Sequence, residues 1–538
     1  NYDIKVREYT NYALKSIKNV CKNFGPRPVG SEAEKKAQEY MLADLEKFCD
    51  EAKREEYKCS DKAFMSWVPI GAALLILNTV FFTLGWHVVA LALSVVTLFL
   101  VVAEFIFYKP VLDVFFPKKT SGNVYGVRKA TGETKKRIIL SGHTDSAFEW
   151  TYTYKGGRPV VAGIIVTAVL AILLGIGGNI FGMVNADGAF GAIVWGEQAG
   201  VVLKVLAVLM YVTVPVLVAA FNFSNYKLPV MGANDDLSGC FVSCAAAKFL
   251  SDNDIRFENT EVAVLCVGGE EAGLRGSKAF AKANKDMLTE DGIETIFVSF
   301  DTICQLEFAK IYDKDMTGMV KNDRRVAELL QTAAKNVGVD APIGTIELGS
   351  TDAAAMSQAG IPASAFTAMD PTPAKYYHTR LDDVSALEAN LLAGSKAEEL
   401  LDGLLHEVLL LDEGGLGEVQ LAGAHLGILR VVRIGEGLLL VLGIVGDHDL
   451  DGIFDRDTTE GCIAKLLTDA SLKLADIHKA VGFCYARATD KVKDRCGGIT
   501  AAAKSTDGYQ SGIIPAIHDA ILNQSLNVAL SGNHIVQI

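Results

Sequence analysis

Apolar residues are unevenly distributed along the chain and concentrate in four long runs. They span about residues 64–84, 88–107, 160–180 and 201–221. A helix needs about 20 residues to cross the hydrocarbon core of a bilayer, and each run has about that length. Buried core helices are the alternative, but four runs nearly free of charge favour membrane spans. The pattern therefore predicts two transmembrane helical hairpins, hairpin 1 at 64–108 and hairpin 2 at 158–222.

Two hairpins return the chain to the same face of the membrane, so all the polar segments are expected on one side. The flanks on that side carry most of the nearby basic residues, whereas the loop from Asn179 to Gln198 has none. Basic flanks mark the cytoplasmic side of a membrane protein. The flanking residues are Lys58, Lys62, Lys109, Lys118, Lys119, Lys155, Arg158 and Lys227. We therefore expect an integral membrane protein with four spans and a cytoplasmic polar domain.

Outside the hairpins, short apolar runs alternate with helical patterns. This alternation predicts an α/β sheet with parallel strands. Predicted strands are 137–140, 261–267 and 295–300; predicted helices are 5–23, 31–50 with Ser31 as N-cap, one from Asp235 to about 250, and one from about 274. We expect residues 1–63, 109–157 and 223–411 to form one discontinuous domain.

The last 120 or so residues are predicted to form a separate module. An acidic helix at about 384–411 ends at Asp412-Glu413-Gly414-Gly415, and residues 416–538 then suggest a small α/β fold. Two strands flanking 435–437, helices at 460–475 and 513–523, and a final strand in SLNVALSG are predicted there. Two roles stay open for this module. One is homo-oligomerisation, and the other is regulation or ligand sensing.

An acidic stretch in this module resembles a calcium-binding loop. Asp447, Asp449 and Asp451 precede Gly452 with the appropriate spacing, but position twelve is Thr458 instead of a bidentate Glu. A calcium site and a solvated acidic turn are therefore both retained, with the turn favoured.

Charge and cysteine content restrict the function classes. The net charge of −13 argues against a nucleic-acid partner, because phosphate backbones are bound by clusters of Lys and Arg. The ten cysteines form no CxxC pair, which fits a reducing compartment better than a disulfide framework. Histidine is sparse, with nine in 538 residues, so histidines in metal-like sequence frames are informative.

Five residues with good metal-binding chemistry lie in such frames. Two histidines with three carboxylates form a ligand set that suits divalent zinc. They are His143 in SGHTDS, Asp235 in GANDDLSG, Glu271 in GGEEAG, Asp301 in VSFDTIC and His378 in YYHTRLDD. His143, Glu271 and Asp301 follow predicted strands, where open α/β sheets place their binding crevice. Glu270, adjacent to a ligand but not needed as one, is suited to accept a proton from a metal-activated water.

Each residue alone also has a purely structural explanation. His143 and His378 could be loop histidines, Asp235-Asp236 a helix cap, Glu270-Glu271 a solvated turn and Asp301 a strand-end acid. Their joint occurrence at strand ends favours a single site for metal-assisted hydrolysis.

The same frames resemble the co-catalytic di-zinc aminopeptidases, metallopeptidase family twenty-eight. That family also contains glutamate carboxypeptidases, the transferrin receptor ectodomain and glutaminyl cyclases. The similarity extends to GPRPVGSEAEKKAQEYM and to STDAAAMSQAGIPA, which contains Asp352, and covers roughly residues 5–63, 109–155 and 225–405. It implies a zinc-exopeptidase fold, a mixed and largely parallel sheet flanked by helices.

The resemblance also implies roles for the candidate residues. His143 and Asp301 would hold one zinc, Glu271 and His378 the other, and Asp235 would bridge the two. Glu270 would be the general base and then the general acid, and Asp145 would orient His143. Tyr376 or Tyr377 is a candidate to donate to the oxyanion, or otherwise to line the substrate pocket by stacking.

The expected function is that of a membrane-anchored metallo-exopeptidase, with an aminopeptidase favoured over a carboxypeptidase. Its partners would be a peptide substrate and the lipid bilayer, and its cofactor two Zn²⁺ ions or another divalent metal. A one-zinc transferase like the glutaminyl cyclases and a non-catalytic receptor or scaffold are the alternatives. Hairpin 2 separates His143 from Asp235 by 92 residues, which predicts an active site close to the bilayer surface.

Overall fold

The computed structural model describes residues 2–185, 188–371, 374–387, 429–434 and 437–442. The chain divides into two compact units, residues 1–415 and 416–538. The first unit contains a nine-stranded mixed sheet and a bundle of four long apolar helices.

The strands of the first unit are β1 (Glu51–Cys59), β2 (Lys119–Arg128), β3 (Lys136–His143), β4 (Phe148–Trp150), β5 (Ser224–Pro229), β6 (Thr260–Val267), β7 (Glu294–Ile303), β8 (Ala309–Asp315), β9 (Val320–Lys321), β10 (Ile343–Thr345) and β11 (Ala363–Ala368). The three strands predicted in the first unit are confirmed as parts of β3, β6 and β7. The main sheet has the order β1-β2-β6-β3-β7-β11-β8-β10, with β9 paired to β8, while β4 and β5 form a separate antiparallel ribbon. The central strands β6, β3, β7 and β11 run parallel, and β1, β2 and β9 join antiparallel, which confirms the expected mixed, largely parallel sheet.

Helices cover both faces of this sheet, because its central strands are apolar on both sides. They are α1 (Tyr2–Asn23), α2 (Glu32–Phe48), α7 (Leu237–Asp252), α8 (Arg275–Ala283), α9 (Lys285–Leu288), α10 (Arg324–Asn336) and α11 (Asp352–Gln358). In β6, Val264 and Cys266 pack in one core with α1, α2 and α7, whereas Ala263 and Leu265 pack in another with α8 and α11. This alternation is the two-residue period of a strand.

The start of α2 shows how the sequence defines an element locally. The Ser31 hydroxyl accepts a hydrogen bond from the Glu34 backbone at 3.1 Å, which confirms the predicted N-cap. The Glu34 carboxylate in turn accepts from the Gly30 backbone at 2.6 Å and from Ser121 on β2 at 2.7 Å. This variant of a capping box therefore also fastens α2 to the sheet.

The four predicted spans are helices long and apolar enough to cross a membrane. They are α3 (Trp67–Thr83), preceded by a short turn from Phe64; α4 (His87–Leu100), extended by a wider turn to Ile106; α5 (Thr151–Asn185); and α6 (Val201–Ala220). The helix α5 starts earlier than the predicted 160–180, but it is interrupted at Gly157 (φ 59°, ψ −156°), so its regular apolar stretch begins only after that residue.

These four helices form a closed bundle, in which α3 packs on α4 and α6, and α5 packs on the same two helices. Its outer surface is apolar and exposed, as at Val212 (68%), Leu173 (60%) and Val166 (58%). A water-soluble protein rarely presents so continuous an apolar surface. Inside the bundle, Asn78 donates to the Ala90 carbonyl at 2.6 Å and to Ser94 at 2.7 Å.

In the second unit, β12 (Leu429–Ile434) and β13 (Gly437–Leu442) pair as an antiparallel hairpin, as predicted around 435–437. The other predictions for this module lie outside the described residues. They include the helices at 460–475 and 513–523, the last strand and the acidic turn of Asp447, Asp449 and Asp451. Of the acidic helix at 384–411, only the helical start at 384–387 is described.

Candidate metal centre

The structure brings all five predicted metal ligands together. Potential ligand atoms of His143, Asp235 and Asp301 lie within 4.8 Å of one another, and so do those of Asp235, Glu271 and His378. The two triads share Asp235. Its Oδ1 lies 3.0 Å from His143 Nε2 and its Oδ2 lies 3.1 Å from His378 Nε2, so the two oxygens of one carboxylate face different imidazoles.

Neighbouring parallel strands deliver these side chains to one edge of the sheet. His143 ends β3, Glu270 and Glu271 follow the end of β6, and Asp301 lies near the end of β7. Because carboxyl ends of parallel strands meet at the same edge, the three elements converge there. Within the turn after β6, Gly269 has φ 62°, a conformation that favours glycine.

Asp236 fixes the strand ends against α7. Its carboxylate accepts hydrogen bonds from the backbone of His143 at 2.9 Å, of Gly239 at 2.9 Å and of Thr302 at 3.1 Å. The helix-cap explanation is therefore correct for Asp236, whereas Asp235, joined to it by a cis peptide bond, faces the imidazoles. The close approach of α7 needs Gly142, where a Cβ would lie 2.3 Å from the Cys240 nitrogen.

Two further buried residues position Asp235 and were not predicted as part of the site. Asp382 accepts hydrogen bonds from the Asp235 backbone at 3.1 Å and from the backbone and side chain of Asn234 at 2.8 and 2.9 Å. Arg27 donates to the carbonyls of Thr144, Met231 and Gly232 at 2.7–2.8 Å. Arg27 lies in the motif GPRPVG and Asp382 in the motif YYHTRLDD. Membership of these motifs is the sequence signal that could have identified them.

Asp145 holds the Glu270-Glu271 turn in place. Its Oδ1 accepts from the Glu270 backbone at 3.1 Å and its Oδ2 from the Glu271 backbone at 3.0 Å. The carboxylate also lies 3.6 Å from His143 Nδ1, although the Asp145 carbonyl is closer, at 3.2 Å. Asp145 thus contacts His143 as expected, and in addition orients the two glutamates.

Glu270 lies between the two triads. It forms a third potential ligand group with His143 and Glu271, one member from each triad, and its Oε2 is 3.9 Å from His143 Nε2. A carboxylate in this position can reach an atom bound by either triad.

The site is buried and rich in negative charge. Burial, with the nearby Glu271 and Asp352, raises the pKa of Glu270 well above its ordinary value. Burial and Asp235 raise the pKa of Asp301 to about 7. For Asp235, the nearby imidazoles of His143 and His378 outweigh burial, and its pKa is lowered. Glu271 and Asp235 likewise overcome burial at His378 and raise its pKa to about 10.

These shifts have one electrostatic cause, since more carboxylates than imidazoles converge where access of water is restricted. Without a metal ion, protons on the two histidines neutralise part of this negative charge. A bound divalent cation would compensate it more completely, and it would leave the imidazole nitrogens free to coordinate.

Unpartnered polar atoms also fit a metal centre. Asp235 Oδ2 and Glu271 Oε1 are buried and accept no hydrogen bond, although His378 Nε2 lies 3.1 and 3.2 Å away. Leaving such atoms unsatisfied is costly unless a cation binds them. Two nitrogen and three carboxylate donors are appropriate for zinc.

The structure separates the roles of the two candidate tyrosines. The Tyr376 hydroxyl donates to Gln305 at 2.8 Å and lies 2.9 Å from the Cys304 sulfur, so it is already engaged in the core. Tyr377 stacks on the His378 ring, with centroids 4.0 Å apart. Of the two, Tyr377 is therefore the better candidate for contact with a substrate.

Hairpin 2 is fastened directly to the His378 loop. The Trp150 backbone donates to the His378 carbonyl at 2.8 Å, and its ring meets the imidazole edge-to-face at 4.5 Å. The buried Glu149 accepts two hydrogen bonds from Arg380, at 2.6 and 2.7 Å, and the Arg380 guanidinium covers the Tyr154 ring of α5. The ribbon that begins hairpin 2 thus orients a predicted metal ligand.

Hairpin 1 is fastened to the turn that carries the two glutamates. Arg275, four residues after Glu271, donates to Asp113 at 2.9 and 3.3 Å and to the Tyr108 carbonyl at 3.1 Å. It also lies 3.5 Å from Glu104 near the end of the second apolar helix. An ionisable residue within an apolar helix usually has a specific function, and here Glu104 serves as an anchor.

Residues 213–398, about a third of the chain, match the model of peptidase family M28. Together with the convergence of the five ligand residues, this match supports a zinc metallopeptidase. The matched range contains Glu270 and four of the five candidate ligands, and only His143 precedes it. A comparison with curated proteins finds no match.

Solved structures with a similar fold have low sequence identity. A zinc aminopeptidase from Bacillus subtilis is 15% identical, with 74% of this chain and 95% of that chain covered and a TM-score of 0.43. An aminopeptidase from Aneurinibacillus sp. strain AM-1 is also 15% identical, with 78% and 98% covered and a TM-score of 0.44. For a glutaminyl cyclase from Porphyromonas gingivalis the identity is 11%, the coverage 74% and 97%, and the TM-score 0.41.

The contact between Glu149 and Arg380 predicts an effect on metal affinity. Replacing Arg380 by Ala leaves the Glu149 carboxylate buried without its partner and releases the His378 loop. Because groups that orient a metal ligand typically contribute about 10–100-fold to affinity, we expect R380A to weaken zinc binding by about that factor. Competition with a chromogenic chelator measures it. The control R324A removes an exposed arginine that pairs with Asp313 and Glu328; equal zinc affinity in both variants would contradict the prediction.

Proposed function

We propose that this protein is a membrane-anchored di-zinc aminopeptidase, which removes amino-terminal residues from peptides close to the bilayer surface. The observation that carries the proposal is the pair of ligand triads that share Asp235, with Glu270 between them. A shared carboxylate is the arrangement that holds two metal ions a few ångströms apart.

His143 and Asp301 would hold one zinc ion, Glu271 and His378 the other, and Asp235 would contact both. Bound there, a pair of zinc ions would polarise the scissile carbonyl and lower the pKa of a water molecule for attack. The protein supplies rigidity to this arrangement through Asp236, Asp382 and Arg27, which fix the loops carrying the ligands.

Glu270 is assigned as the proton carrier. Its backbone is fixed by Asp145, and its carboxylate lies within reach of both triads. It would accept the proton of the attacking water and then transfer it to the nitrogen of the leaving amine. Its burial supports the first of these transfers, since a raised pKa makes the Glu270 carboxylate a stronger proton acceptor.

Tyr377 is assigned to the oxyanion or to the substrate face of the site. Its ring stacks on that of His378. Its hydroxyl has no hydrogen-bond partner among the described residues, whereas the Tyr376 hydroxyl donates to Gln305. A phenol in this position can donate to the developing negative charge on the carbonyl oxygen.

Membrane anchoring follows from the bundle and its attachments. The exterior of α3–α6 is apolar, and the bases of both hairpins contact the site through Arg275 and Trp150. Bilayer insertion of the bundle would therefore hold the site close to the membrane surface. The basic flanks support a cytoplasmic peptidase domain.

The alternatives make different demands on the site. A one-zinc transferase like the glutaminyl cyclases would not need both triads, and a non-catalytic scaffold would not need Glu270. Every residue of the five-ligand set converges here, together with a buried carboxylate suited to proton transfer. An aminopeptidase is therefore the hypothesis that accounts for both triads and for Glu270.

Replacing Glu270 by Gln should separate metal binding from catalysis. We expect E270Q to keep two zinc ions per chain and to lose at least about 100-fold in kcat/KM, because only the proton acceptor is removed. Metal analysis and hydrolysis of aminoacyl amides, matched N-acetylated peptides and amino-terminal glutamine peptides measure this. The control is E290Q at an exposed position.

The substrate panel distinguishes the alternatives. Cleavage of free but not N-acetylated substrates supports an aminopeptidase, and cyclisation of glutamine peptides without hydrolysis would indicate a transferase. Full activity of E270Q would remove Glu270 from the mechanism.

The proposed topology predicts which loops are accessible from outside the cell. A cysteine introduced at Glu197, between α5 and α6, should react with a membrane-impermeant maleimide on intact cells. A cysteine at Lys321 on β9 should react only after permeabilisation. Both positions are exposed in the folded protein, so burial would not explain a difference. Labelling of Lys321→Cys in intact cells would contradict the cytoplasmic placement.

A further inference from the structure

A cavity lies apart from the metal centre, at the base of hairpin 1. Its volume is about 450 Å³, within the usual range for sites that bind small molecules. Tyr108, Lys109 and Pro110, directly after the second apolar helix, form one side, and α8 and the segment after it form the other. Its floor is apolar, with Ala281 and Leu288 buried.

The polar lining of this basic cavity is dominated by positive charge. Four lysines line it, namely Lys109, Lys278, Lys282 and Lys285, and no aspartate or glutamate in the described part of the chain does. Among the described residues, none of the four forms an ion pair. In a chain with a net charge of −13, four unpaired lysines around one concave surface produce a local positive potential.

Lys278 is the lysine that the protein places most firmly. It is half-buried, and its Nζ donates to the Tyr108 carbonyl at 2.7 Å and to the Gly273 carbonyl at 3.3 Å. An ammonium has three donors, so one remains for a ligand. Burial, together with Arg275 and Lys109, lowers the pKa of Lys278 to about 7, and a bound anion would favour its charged form.

The ligand that suits this lining is a compact anion with several acceptor oxygens. A phosphate group satisfies that requirement, because it offers more than one charge and can accept from several lysines at once. The cavity begins two residues beyond Ile106, where the second candidate span ends. In the membrane placement proposed above, it therefore lies at the level of phospholipid headgroups.

We propose that the basic cavity binds a phosphate-bearing anion, supplied either as the headgroup of an anionic phospholipid or as a soluble phosphate ester. The lipid source rests on the proposed membrane anchoring, whereas the binding of phosphate does not. The site is also independent of the peptidase reaction, since none of its four lysines belongs to the metal centre.

Isothermal titration of the full-length protein in detergent tests the proposal without any peptide substrate. The probes are dioctanoyl phosphatidic acid, dioctanoyl phosphatidylcholine and glycerol 3-phosphate. We expect the phosphatidic acid to bind at least tenfold more tightly than the zwitterionic phosphatidylcholine. The variant K282E/K285E should lose at least tenfold in affinity for it, and K109A should lose less.

The matched control is K314E/K321E, which reverses two exposed lysines on β8 and β9 outside the cavity. It should change affinity less than twofold. Binding of glycerol 3-phosphate as tight as that of phosphatidic acid would support the site with a soluble ligand, and weaker binding would support the lipid. Equal binding of the two lipids, binding unchanged in K282E/K285E, or no binding of either phosphomonoester would overturn the proposal.

Discussion

The contact on which the rest of the site depends is that between the Asp235 carboxylate and two imidazoles. Its oxygens lie 3.0 and 3.1 Å from His143 and His378, residues 235 positions apart in the chain. Holding a carboxylate here, among Glu270, Glu271 and Asp301, is electrostatically unfavourable unless opposite charge compensates it. The surrounding hydrogen bonds maintain that arrangement: Asp382 fixes the Asp235 backbone, Asp236 joins two strand ends to α7, and Asp145 fixes the two glutamates. The proposed pair of divalent cations would supply that opposite charge.

The helical hairpins are connected to the same network. Hairpin 1 reaches the Glu270-Glu271 turn through Arg275 and Asp113, and hairpin 2 reaches His378 through Trp150 and through Glu149 with Arg380. Each hairpin is therefore attached to a different part of the metal centre. These contacts hold the ligand loops in place, which explains how hairpin 2 can be inserted between His143 and Asp235 without disrupting the site.

The sequence predicted the parts of this structure that have local signals. The strands that lead to His143, Glu271 and Asp301 are apolar runs of strand length. The N-cap at Ser31 is signalled by the acidic residues that follow it, and the four spans are signalled by their long apolar runs. Contacts between distant segments have no such signal. Glu149 and Arg380 are 231 residues apart, and Arg275 and Asp113 are 162 apart, so neither pair could be recognised. The choice between Tyr376 and Tyr377 depended on which hydroxyl Gln305 engages, and the start of α5 depended on the backbone at Gly157. Side-chain direction and long-range pairing are properties of the folded chain alone.

The number and spacing of the bound metal ions test the central claim most directly. X-ray absorption spectroscopy of the zinc-loaded, full-length protein measures both the ligand atoms and any scattering between metals. We expect two zinc ions per chain, bound by nitrogen and oxygen only, with zinc–zinc scattering at about 3.5–4 Å. A single zinc ion at saturation, without metal–metal scattering, would contradict the shared role of Asp235.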